Sequence, residues 1–524
     1  MNVRRGERRP RALSVIIPAT FTTNHLPGLI AQCRNLRPLE ILLVVSPRLL
    51  PSLPRAARSP LCRVIAGDRE QPPFSGQTAG AMQAKGEILL FLGEDRYYSA
   101  SGLQRFLFPV LYENVQAVLP REAPRVVDAV KRRARPVQVF ARLLNEVCRR
   151  RELGAASLLD TPFALTRQAV HKIGIDELTH PGRAFLKLLK SGMQIRAEYV
   201  QPVSDSRPFQ PQLASASVSQ LSDWDRVVIS EQLSAIASLP SRGGLSDGGR
   251  RRDIAGGRDE SGGLAPWKCT EVRPLSPSSL YEGQRLSVII PACNEERTIG
   301  SVIEETLLLE PAEIIVVANG SRDRTAQIAR ESGATTIELA SPLGVDTGRA
   351  LGASLAHGDI LLFVDADFVI PAMDLFPFVL ACQQGTDVAL NDPSVNLQAQ
   401  RADDVVSAAR LALNLAADRQ DLGSASILAV PYAMRRESFA PLGWPLLACP
   451  PKAQAAAVFA GLSLQVAHQV DSFAMNRFRP QKHLDQSGLS PAVEQILGDH
   501  IEALQWLAEQ INAKQNGKES SENK

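Results

Sequence analysis

A chain of 524 residues is longer than one hydrophobic core usually organises, so its length predicts at least two domains. Hydrophobic residues make up 44% of the chain and charged residues 22%, which are ordinary fractions for globular proteins. The formal net charge of +3 is small for this length and argues against nucleic acid as a partner.

The cysteine pattern and the hydropathy of the chain indicate the cellular compartment of the protein. The seven cysteines are scattered, without a Cys-x-x-Cys pair or a cysteine/histidine spacing typical of a metal site, which favours a reducing environment. No apolar run approaches the roughly 18 to 20 residues that cross a bilayer. We therefore expect a cytoplasmic protein without a transmembrane segment, with peripheral membrane contact as an open alternative.

The chain begins with a basic tail over residues 1–12. Two later segments repeat each other at a nearly constant offset. The run from Ser14 to Ala19 recurs unchanged from Ser287 to Ala292, 273 residues later. Later matches, such as Pro162 with Pro431, have an offset of 269 residues. This slow drift predicts a tandem duplication with only small loop deletions.

The duplication predicts the domain boundaries. We expect one domain over residues 13–240 and a second over residues 285–512, each ending in a helix. Residues 241–284 are rich in glycine, arginine, proline and serine and predict a flexible, solvated linker, with phosphate or partner binding by its arginines as the alternative. Residues 513–524 are polar and are predicted to be disordered.

The second repeat alternates short apolar strands with segments of helical periodicity. Such alternation predicts a mostly parallel sheet covered by helices on both faces. We expect strands at 286–291, 313–318, 335–339 and 359–364, and helices at 296–309, 323–332 and 348–356. A final amphipathic helix over 493–511 is expected to dock on its own domain, with a homodimer as the alternative.

Three of these strands end in polar residues. The first is followed by Asn294-Glu295-Glu296, the second by Asn319-Gly320-Ser321-Arg322-Asp323 and the fourth by Asp365-Ala366-Asp367. Ligands of parallel sheets collect at the carboxyl ends of strands, so we expect the three segments to form one site. Two carboxylates one residue apart are suited to a divalent cation, although an Asp-x-Asp triplet alone is common by chance.

In order and spacing, these segments resemble the family 2 glycosyltransferases, which have the A-type nucleotide-diphospho-sugar transferase fold. The resemblance covers most of residues 286–479 and, more faintly, residues 13–203. It implies two tandem Rossmann-like domains and transfer of a sugar from a UDP- or GDP-sugar to an acceptor that the sequence does not identify.

The resemblance also implies roles for individual residues. Asp365 and Asp367 would serve catalysis as ligands of Mg²⁺ or Mn²⁺, which would neutralise the charge that develops on the departing diphosphate. The expected donor-binding residues are Pro291, Asn294, Glu295, Asn319, Ser321, Asp323, Gly348 and Arg349. Asp346 is a further donor contact in this interpretation, with helix capping as its alternative role.

Several positions depart from the family pattern. Ala318 stands where the family usually has an aspartate that recognises the base. The acidic base that inverting members place soon after a Gly-Trp turn is missing after Gly443-Trp444. Asp392 and Glu437 are weak substitutes, and a retaining transfer or a loss of catalysis are the other interpretations. Arg435 or Arg436 could meet a phosphate on the acceptor side.

The first repeat lacks most of the polar residues. Phe21-Thr22 replaces Asn294-Glu295, and Gly93 replaces Asp365, although Glu94-Asp95 could keep weak metal affinity. We expect this domain to bind little or no donor. Two alternatives to a transferase remain: a non-catalytic tandem binding protein and, less favoured, a sugar-phosphate nucleotidyltransferase.

Overall fold

A computed structural model of the chain describes residues 11–20, 22–67, 73–94, 96–121, 135–200, 221–250, 252, 267–269, 281, 283–393, 405–471 and 489–522. The chain divides into two compact units, Met1–Ser238 and Leu239–Lys524. The predicted basic tail, apart from its last two residues, lies outside the described residues.

The first unit contains seven strands and seven α-helices in its described part. The strands are β1 (Leu13–Ala19), β2 (Glu40–Val45), β3 (Cys62–Ala66), β4 (Ile88–Phe91), β5 (Ala117–Arg121), β6 (Phe163–Thr166) and β7 (Ile195–Tyr199). The helices are α1 (Leu26–Arg34), α2 (Ser75–Gln83), α3 (Ala100–Tyr112), α4 (Pro136–Val147), α5 (Arg167–Ile173), α6 (Pro181–Lys190) and α7 (Asp223–Ala237).

The described part of the second unit repeats this series and adds one strand before it and one helix between its second and third repeated strands. Its strands are β8 (Trp267–Cys269), β9 (Leu286–Ala292), β10 (Glu313–Asn319), β11 (Thr335–Leu339), β12 (Ile360–Phe363), β13 (Val388–Asn391), β14 (Tyr432–Arg435) and β15 (Leu464–His468). Its helices are α8 (Ile299–Leu307), α9 (Thr325–Glu331), α10 (Thr347–Leu355), α11 (Ala372–Gln383), α12 (Val405–Ala416), α13 (Arg436–Phe439), α14 (Pro450–Phe459) and α15 (Pro491–Glu522).

The two sheets have the same strand order. The first runs β3-β2-β1-β4-β6-β5-β7, and the second runs β8-β11-β10-β9-β12-β14-β13-β15. Removing β8 makes the two orders identical, and in both sheets the sixth strand along the chain, β6 or β14, is antiparallel to its neighbours. The predicted duplication and the predicted α/β fold class are confirmed.

A buried polar cluster also occurs in both units. Ser287 Oγ donates to Glu313 Oε1 at 2.6 Å and accepts from the backbone N–H of Gly358 at 2.8 Å. In the first unit, Ser14 makes the same two bonds, to Glu40 Oε1 at 2.8 Å and from the N–H of Gly86 at 2.8 Å. The repeated cluster connects β9 to the start of β12, which the acidic triplet follows. In the first unit it connects β1 to the start of β4, a strand after which the triplet is not conserved between the two copies.

The strand register explains why the polar segments meet. In β9, Ile289 pairs with Phe363 of β12 and with Ile315 of β10, and all three strands are parallel. The chain therefore leaves each strand at the same edge of the sheet, which we call the carboxyl edge. The turns after residues 292, 319 and 363 lie along it.

Two predictions about the segments between and after the domains are wrong for the residues that the structure describes there. The predicted solvated linker contains Arg242 and Arg250, which are buried in the second unit because carboxylates of α15 pair with them. The predicted disordered tail is helical as far as Glu522, the end of α15. The same helix packs on α12 and α14 of its own unit and buries Leu497, Ile501, Leu504 and Leu507 there.

Within the described residues, none of the helices combines the length and the apolar character that a membrane crossing requires.

Candidate functional site

The turns after β9 and β10 are bonded to each other. Asn294, at a φ of 59°, donates its backbone N–H to Ser321 Oγ at 3.2 Å and accepts the N–H of Arg322 on Oδ1 at 2.8 Å. The N–H of Glu295 is donated to Thr325 Oγ1 at 2.7 Å. Asparagine tolerates the left-handed conformation better than most residues, which fits its position here. The two predicted segments form one rigid ledge at the carboxyl edge.

Asp323 lies inside this ledge. Its carboxylate accepts the N–H of Glu296 at 3.1 Å and the N–H of Thr325 at 3.0 Å, and it also accepts the Thr325 hydroxyl. Burial disfavours the charge, but the hydrogen bonds from Thr325 and Glu296 lower the pKa of Asp323 below its usual value. Asp323 is therefore an ionised anchor of the two turns, a role for which its spacing in the sequence gave no sign.

Asn319 joins the end of β10 to the loop before α10. Its Nδ2 donates to the Gly344 carbonyl at 2.8 Å, and its Oδ1 accepts the N–H of Leu343 at 2.7 Å. The following residue, Gly320, has a φ of 69°, and a Cβ there would lie 2.5 Å from the nitrogen of Pro342. Only glycine fits that close approach. Asn319 thus orients the loop over residues 343–346 with both ends of its amide.

The start of α10 lies directly against β9. A Cβ at Gly348 would lie 3.1 Å from the Cβ of Pro291, and one at Gly352 would lie 2.6 Å from Cγ2 of Ile289. The small residues let the helix approach the strand closely. This packing brings Arg349, one position after Gly348, to the end of β12.

The acidic triplet follows β12 at the centre of the carboxyl edge. Asp365 and Asp367 are half-buried, whereas Ala366 between them is buried. The Thr298 hydroxyl, just before α8, donates to the Ala366 carbonyl at 2.6 Å. That bond fixes the backbone between the two carboxylates. Thr298 was not identified from the sequence, where a threonine before a helix signals only a cap.

Arg349 bridges two carboxylates. Its Nη2 donates to Asp365 Oδ1 at 2.8 Å, and its Nη1 lies 2.9 Å from Asp346 Oδ1. Burial works against the guanidinium charge, but the two aspartates raise the pKa of Arg349 further above its usual value. Burial raises the pKa of Asp346 to about 6, with Arg349 opposing the shift. Asp346 precedes α10 without a side-chain capping bond, so its partner is Arg349 and the capping alternative is wrong.

Tyr432 completes the floor of this cluster. It is fully buried, and its ring stacks on Phe363 with centroids 4.5 Å apart. Burial raises the pKa of its hydroxyl, and Arg349 acts in the opposite direction. The residue follows cis-Pro431 at the start of β14. The sequence pointed to Arg435 and Arg436 in this segment, but it did not identify Tyr432 or its position beside the triplet.

The antiparallel direction of β14 separates the other residues of that segment from the site. Tyr432 pairs with Phe363 at the carboxyl edge, whereas Arg435 pairs with Ile360 at the opposite end of β12. Arg435, Arg436 and Glu437 therefore lie at the far edge of the sheet. At that edge the two arginines cannot meet an acceptor phosphate and Glu437 cannot act as the base, so both predicted roles are wrong. The sequence could not show this, because local sequence does not reveal which way a strand runs.

Asp392 remains at the correct edge. It follows β13, which runs parallel to β15 and antiparallel to β14, so its chain leaves the sheet on the side of Asp365. Gln469 Nε2 donates to Asp392 Oδ2 at 3.3 Å. At the end of the neighbouring strand, His468 Nε2 lies 3.1 Å from Asp374 Oδ1. This second pair was not found from the sequence.

The corresponding edge of the first unit has a different polar set. Gln77 occupies the position of Arg349 in α2, and Glu94 accepts the N–H of Thr22 at 3.2 Å. Asp160 pairs with Arg96 at 3.1 Å and with Arg135 at 3.0 Å. Phe21 and Asp95 lie outside the described residues. Among the described residues, this edge thus carries Glu94 and an Asp160–arginine cluster in place of the acidic triplet.

Comparison with known proteins gives matches to the second unit. Residues 287–440 match the family model "Glycosyl transferase family 2". Glucosyl-3-phosphoglycerate synthase of Mycobacterium tuberculosis is 36% identical over 142 residues, which cover 24% of this chain and 43% of that protein. The undecaprenyl-phosphate 4-deoxy-4-formamido-L-arabinose transferase of Pectobacterium atrosepticum is 32% identical over 116 residues, or 20% of this chain and 36% of that protein. The matched region spans less than half of these relatives.

A solved structure of the Mycobacterium tuberculosis synthase is also similar to this chain; it is a complex with Mn²⁺, uridine diphosphate and glucosyl-3-phosphoglycerate. The sequence identity is 26% and the TM-score is 0.30, and the match covers 38% of this chain and 74% of that one.

Proposed function

Because residues 287–440 form a glycosyl transferase family 2 domain, we propose that the second unit transfers a sugar from a nucleotide-diphospho-sugar, a UDP- or GDP-sugar, to an acceptor. The observation that carries this proposal is the convergence of three polar turns at one sheet edge. The ledge of Asn294 and Ser321 flanks the carboxylates of Asp365 and Asp367 there. A nucleoside diphosphate needs such a combination of a polar cradle and a cation.

The triplet fits Mg²⁺ or Mn²⁺ in chemistry and in position. Both aspartates offer hard carboxylate oxygens, and the Thr298 bond to the Ala366 carbonyl holds the backbone between them. Asp365 commits Oδ1 to Arg349, so its Oδ2 is the oxygen we assign to the cation or to the donor. When bound, the cation would neutralise the charge on the departing diphosphate.

The remaining residues of the ledge have two different roles in this proposal. Asn294, Glu295 and Ser321 line the nucleotide pocket, with Pro291 and Gly348 forming its apolar floor. Asn319 and Asp323 shape the pocket instead, because both polar atoms of each side chain are bonded to the backbone of nearby turns. Arg349 sets the charge beside the diphosphate.

On the acceptor side, we assign Asp392 as the carboxylate that accepts the proton of the acceptor hydroxyl. It lies at the carboxyl edge, whereas Glu437 lies at the opposite one. A carboxylate there can accept a proton from an acceptor hydroxyl. The acceptor itself has no chemical signature among the residues described.

Isothermal titration of the full chain with UDP and GDP, with and without Mn²⁺, tests the proposal. We expect binding that requires Mn²⁺ and falls at least tenfold in Asp367→Asn. Asp359→Asn is the matched control, since Asp359 precedes the same strand at the other edge of the sheet and bonds the N–H of Arg285. Binding that is independent of Mn²⁺, or equal in the two variants, would contradict the assignment.

Turnover then separates an enzyme from a non-catalytic binding protein. Incubation with UDP-glucose and other nucleotide sugars, followed by detection of the released nucleoside diphosphate, should show Mn²⁺-dependent release. If binding is intact and no donor in the panel is consumed with any acceptor extract, the tandem binding-protein alternative is favoured.

A further inference from the structure

We propose that Arg250, which lies in the second unit but before the segment that matches the family, is a positioning residue of the donor site and holds the loop over residues 343–349 in place. The inference rests on the proposed function of that site. Arg250 lies outside the segment 287–440 that matches the family, so the family pattern does not account for it.

Arg250 is anchored on the side away from the site. Its side chain has 0% exposure, and its Nη1 donates to the Ala448 carbonyl at 2.6 Å and to Asp499 Oδ2 at 3.0 Å. Its Nε donates to Asp247 Oδ1 at 2.7 Å. A buried guanidinium with this many acceptors has one well-defined position.

On the side toward the site, Arg250 contacts the loop in two ways. Its Nη1 lies 4.0 Å from Asp346 Oδ2. A Cβ built on Gly344 would lie 2.5 Å from Cγ and 2.9 Å from Cα of Arg250, so the loop backbone is pressed against the arginine. Gly344 has a φ of 92°, a conformation that few other residues adopt.

The held loop leads directly into the proposed donor contacts. The Gly344 carbonyl accepts a hydrogen bond from Asn319 Nδ2. Asp346 pairs with Arg349, which in turn donates to Asp365. Displacing the loop would therefore move the end of β10 and the ion pair at the metal triplet together.

Charge alternates along this chain of contacts. From the metal triplet outward, the side chains follow one another in space in the order Asp365, Arg349, Asp346, Arg250 and Asp499. Asp346 is buried, with Arg349 and Arg250 as its two cationic neighbours. Without Arg250, Asp346 would depend on Arg349 alone, and Arg349 would be drawn toward it and away from Asp365.

The anchor at α15 is a set of ion pairs and not a second metal site. Cys449, Asp499 and Glu502 could in geometry surround a cation. However, Arg242 and Arg250 already contact Asp499, while Arg252 contacts Glu502. Burial raises the pKa of the Cys449 thiol, so the thiol is protonated beside these ion pairs.

Full-length Arg250→Met, compared with Arg252→Met, tests the proposal. Arg252 belongs to the same segment and pairs with Glu502 at 2.8 Å and with Asp247 at 2.9 Å, on the side away from the loop. We expect Arg250→Met to weaken Mn²⁺-dependent UDP binding at least tenfold and Arg252→Met to change it less than threefold. Equal losses in the two variants would overturn the inference.

Hydrogen exchange supplies a readout that does not require donor binding. The N–H of Leu343 is bonded to Asn319, and the N–H of Arg349 is bonded to the Asp346 carbonyl at 3.0 Å. Both amides should exchange at least tenfold faster in Arg250→Met, with the amides of β9 unchanged. Unchanged loop exchange would overturn the inference even if binding were lost.

This second readout also separates the two proposals. If the wild-type chain binds neither UDP nor GDP with Mn²⁺, the proposed function fails, and loop exchange alone decides the role of Arg250. Where Arg250→Met does not fold, Arg250→Met combined with Asp499→Asn removes the buried carboxylate that has lost one of its arginine partners. The double variant should show the same fast exchange at Leu343 and Arg349, and normal exchange there would count against the proposal.

Discussion

Arg349 Nη2 lies 2.8 Å from Asp365 Oδ1, so a buried arginine on α10 holds one of the two aspartates proposed to bind the cation. The same guanidinium lies 2.9 Å from Asp346. One positive charge thus compensates two carboxylates at the floor of the site. Removing it leaves both without their shared partner.

Arg349→Met should therefore destabilise the second unit strongly. Breaking a buried ion pair by removing one partner costs about 3–5 kcal/mol. Urea unfolding followed by circular dichroism measures the loss. Adding Asp346→Asn should recover part of it, because one of the stranded charges is then removed. Arg435→Met is the control at the opposite edge, where Arg435 pairs with an exposed glutamate, and a cost above about 1 kcal/mol there would contradict this account.

Thr298→Val should weaken Mn²⁺-dependent nucleotide binding with little effect on folding. The substitution keeps the shape of the side chain but deletes the donor to the Ala366 carbonyl, a bond of 2.6 Å. A typical hydrogen bond contributes about 0.5–1.5 kcal/mol, which corresponds to a loss of roughly twofold to tenfold in affinity. Calorimetry with UDP and Mn²⁺ gives the value. Thr298→Ser retains the hydroxyl and should bind as the wild type does; an equal loss in both variants would show that the bond is not the cause.

The point at which the second unit is cut should decide whether it folds. A chain that begins at Leu239 retains Arg242 and Arg250, and we expect it to fold and to bind nucleotide with Mn²⁺ without the first unit. A chain that begins at Arg285 loses both arginines and leaves Asp499 buried without them. The shorter chain should melt at least several degrees lower or aggregate. Equal melting temperatures would show that residues 239–284 do not support the fold.

Glu502 should make stability depend on pH in the acid range. Burial alone would raise its pKa, but Arg252 and Lys452 lower it to about 2, below the usual value near 4.5. Its stabilising effect is therefore complete above the unfolded pKa and is lost as pH falls from about 4.5 toward 2. Its side chain is 16% exposed, and the shift corresponds to roughly 3 kcal/mol.

Urea midpoints of Glu502→Gln at pH 7 and at lower pH values measure this effect. The variant should be less stable than the wild type at neutral pH, and the difference should shrink as the solution is acidified through pH 4. Glu509→Gln changes an exposed glutamate of the same helix and should show a small difference at every pH. A difference for Glu502→Gln that stays constant down to pH 3 would refute the pairing.

The sequence predicted the repeated architecture well because the signal is local. Strands β9, β10, β11 and β12 lie within one or two residues of their predicted bounds, since each is a short apolar run that the surrounding polar turns delimit. The convergence of the three turns also followed from sequence, because parallel strands linked by helices must present their ends at one edge.

Only the tertiary structure decided which polar residues belong to that edge. Glu437 and the arginines before it face the other way because β14 is antiparallel, and a four-residue strand carries no mark of its direction. Asp323 became an anchor through bonds to a turn 27 residues earlier in the chain.

The sequence by itself determined a duplicated α/β fold whose second copy keeps two aspartates at the end of its fourth repeated strand. It could not determine what surrounds them. Arg250 and Asp499 are 249 residues apart, in segments that composition alone describes as linker and helix. Their pairing depends on burial, where a charge is stable only beside its counter-charge, and burial is a property of the assembled fold.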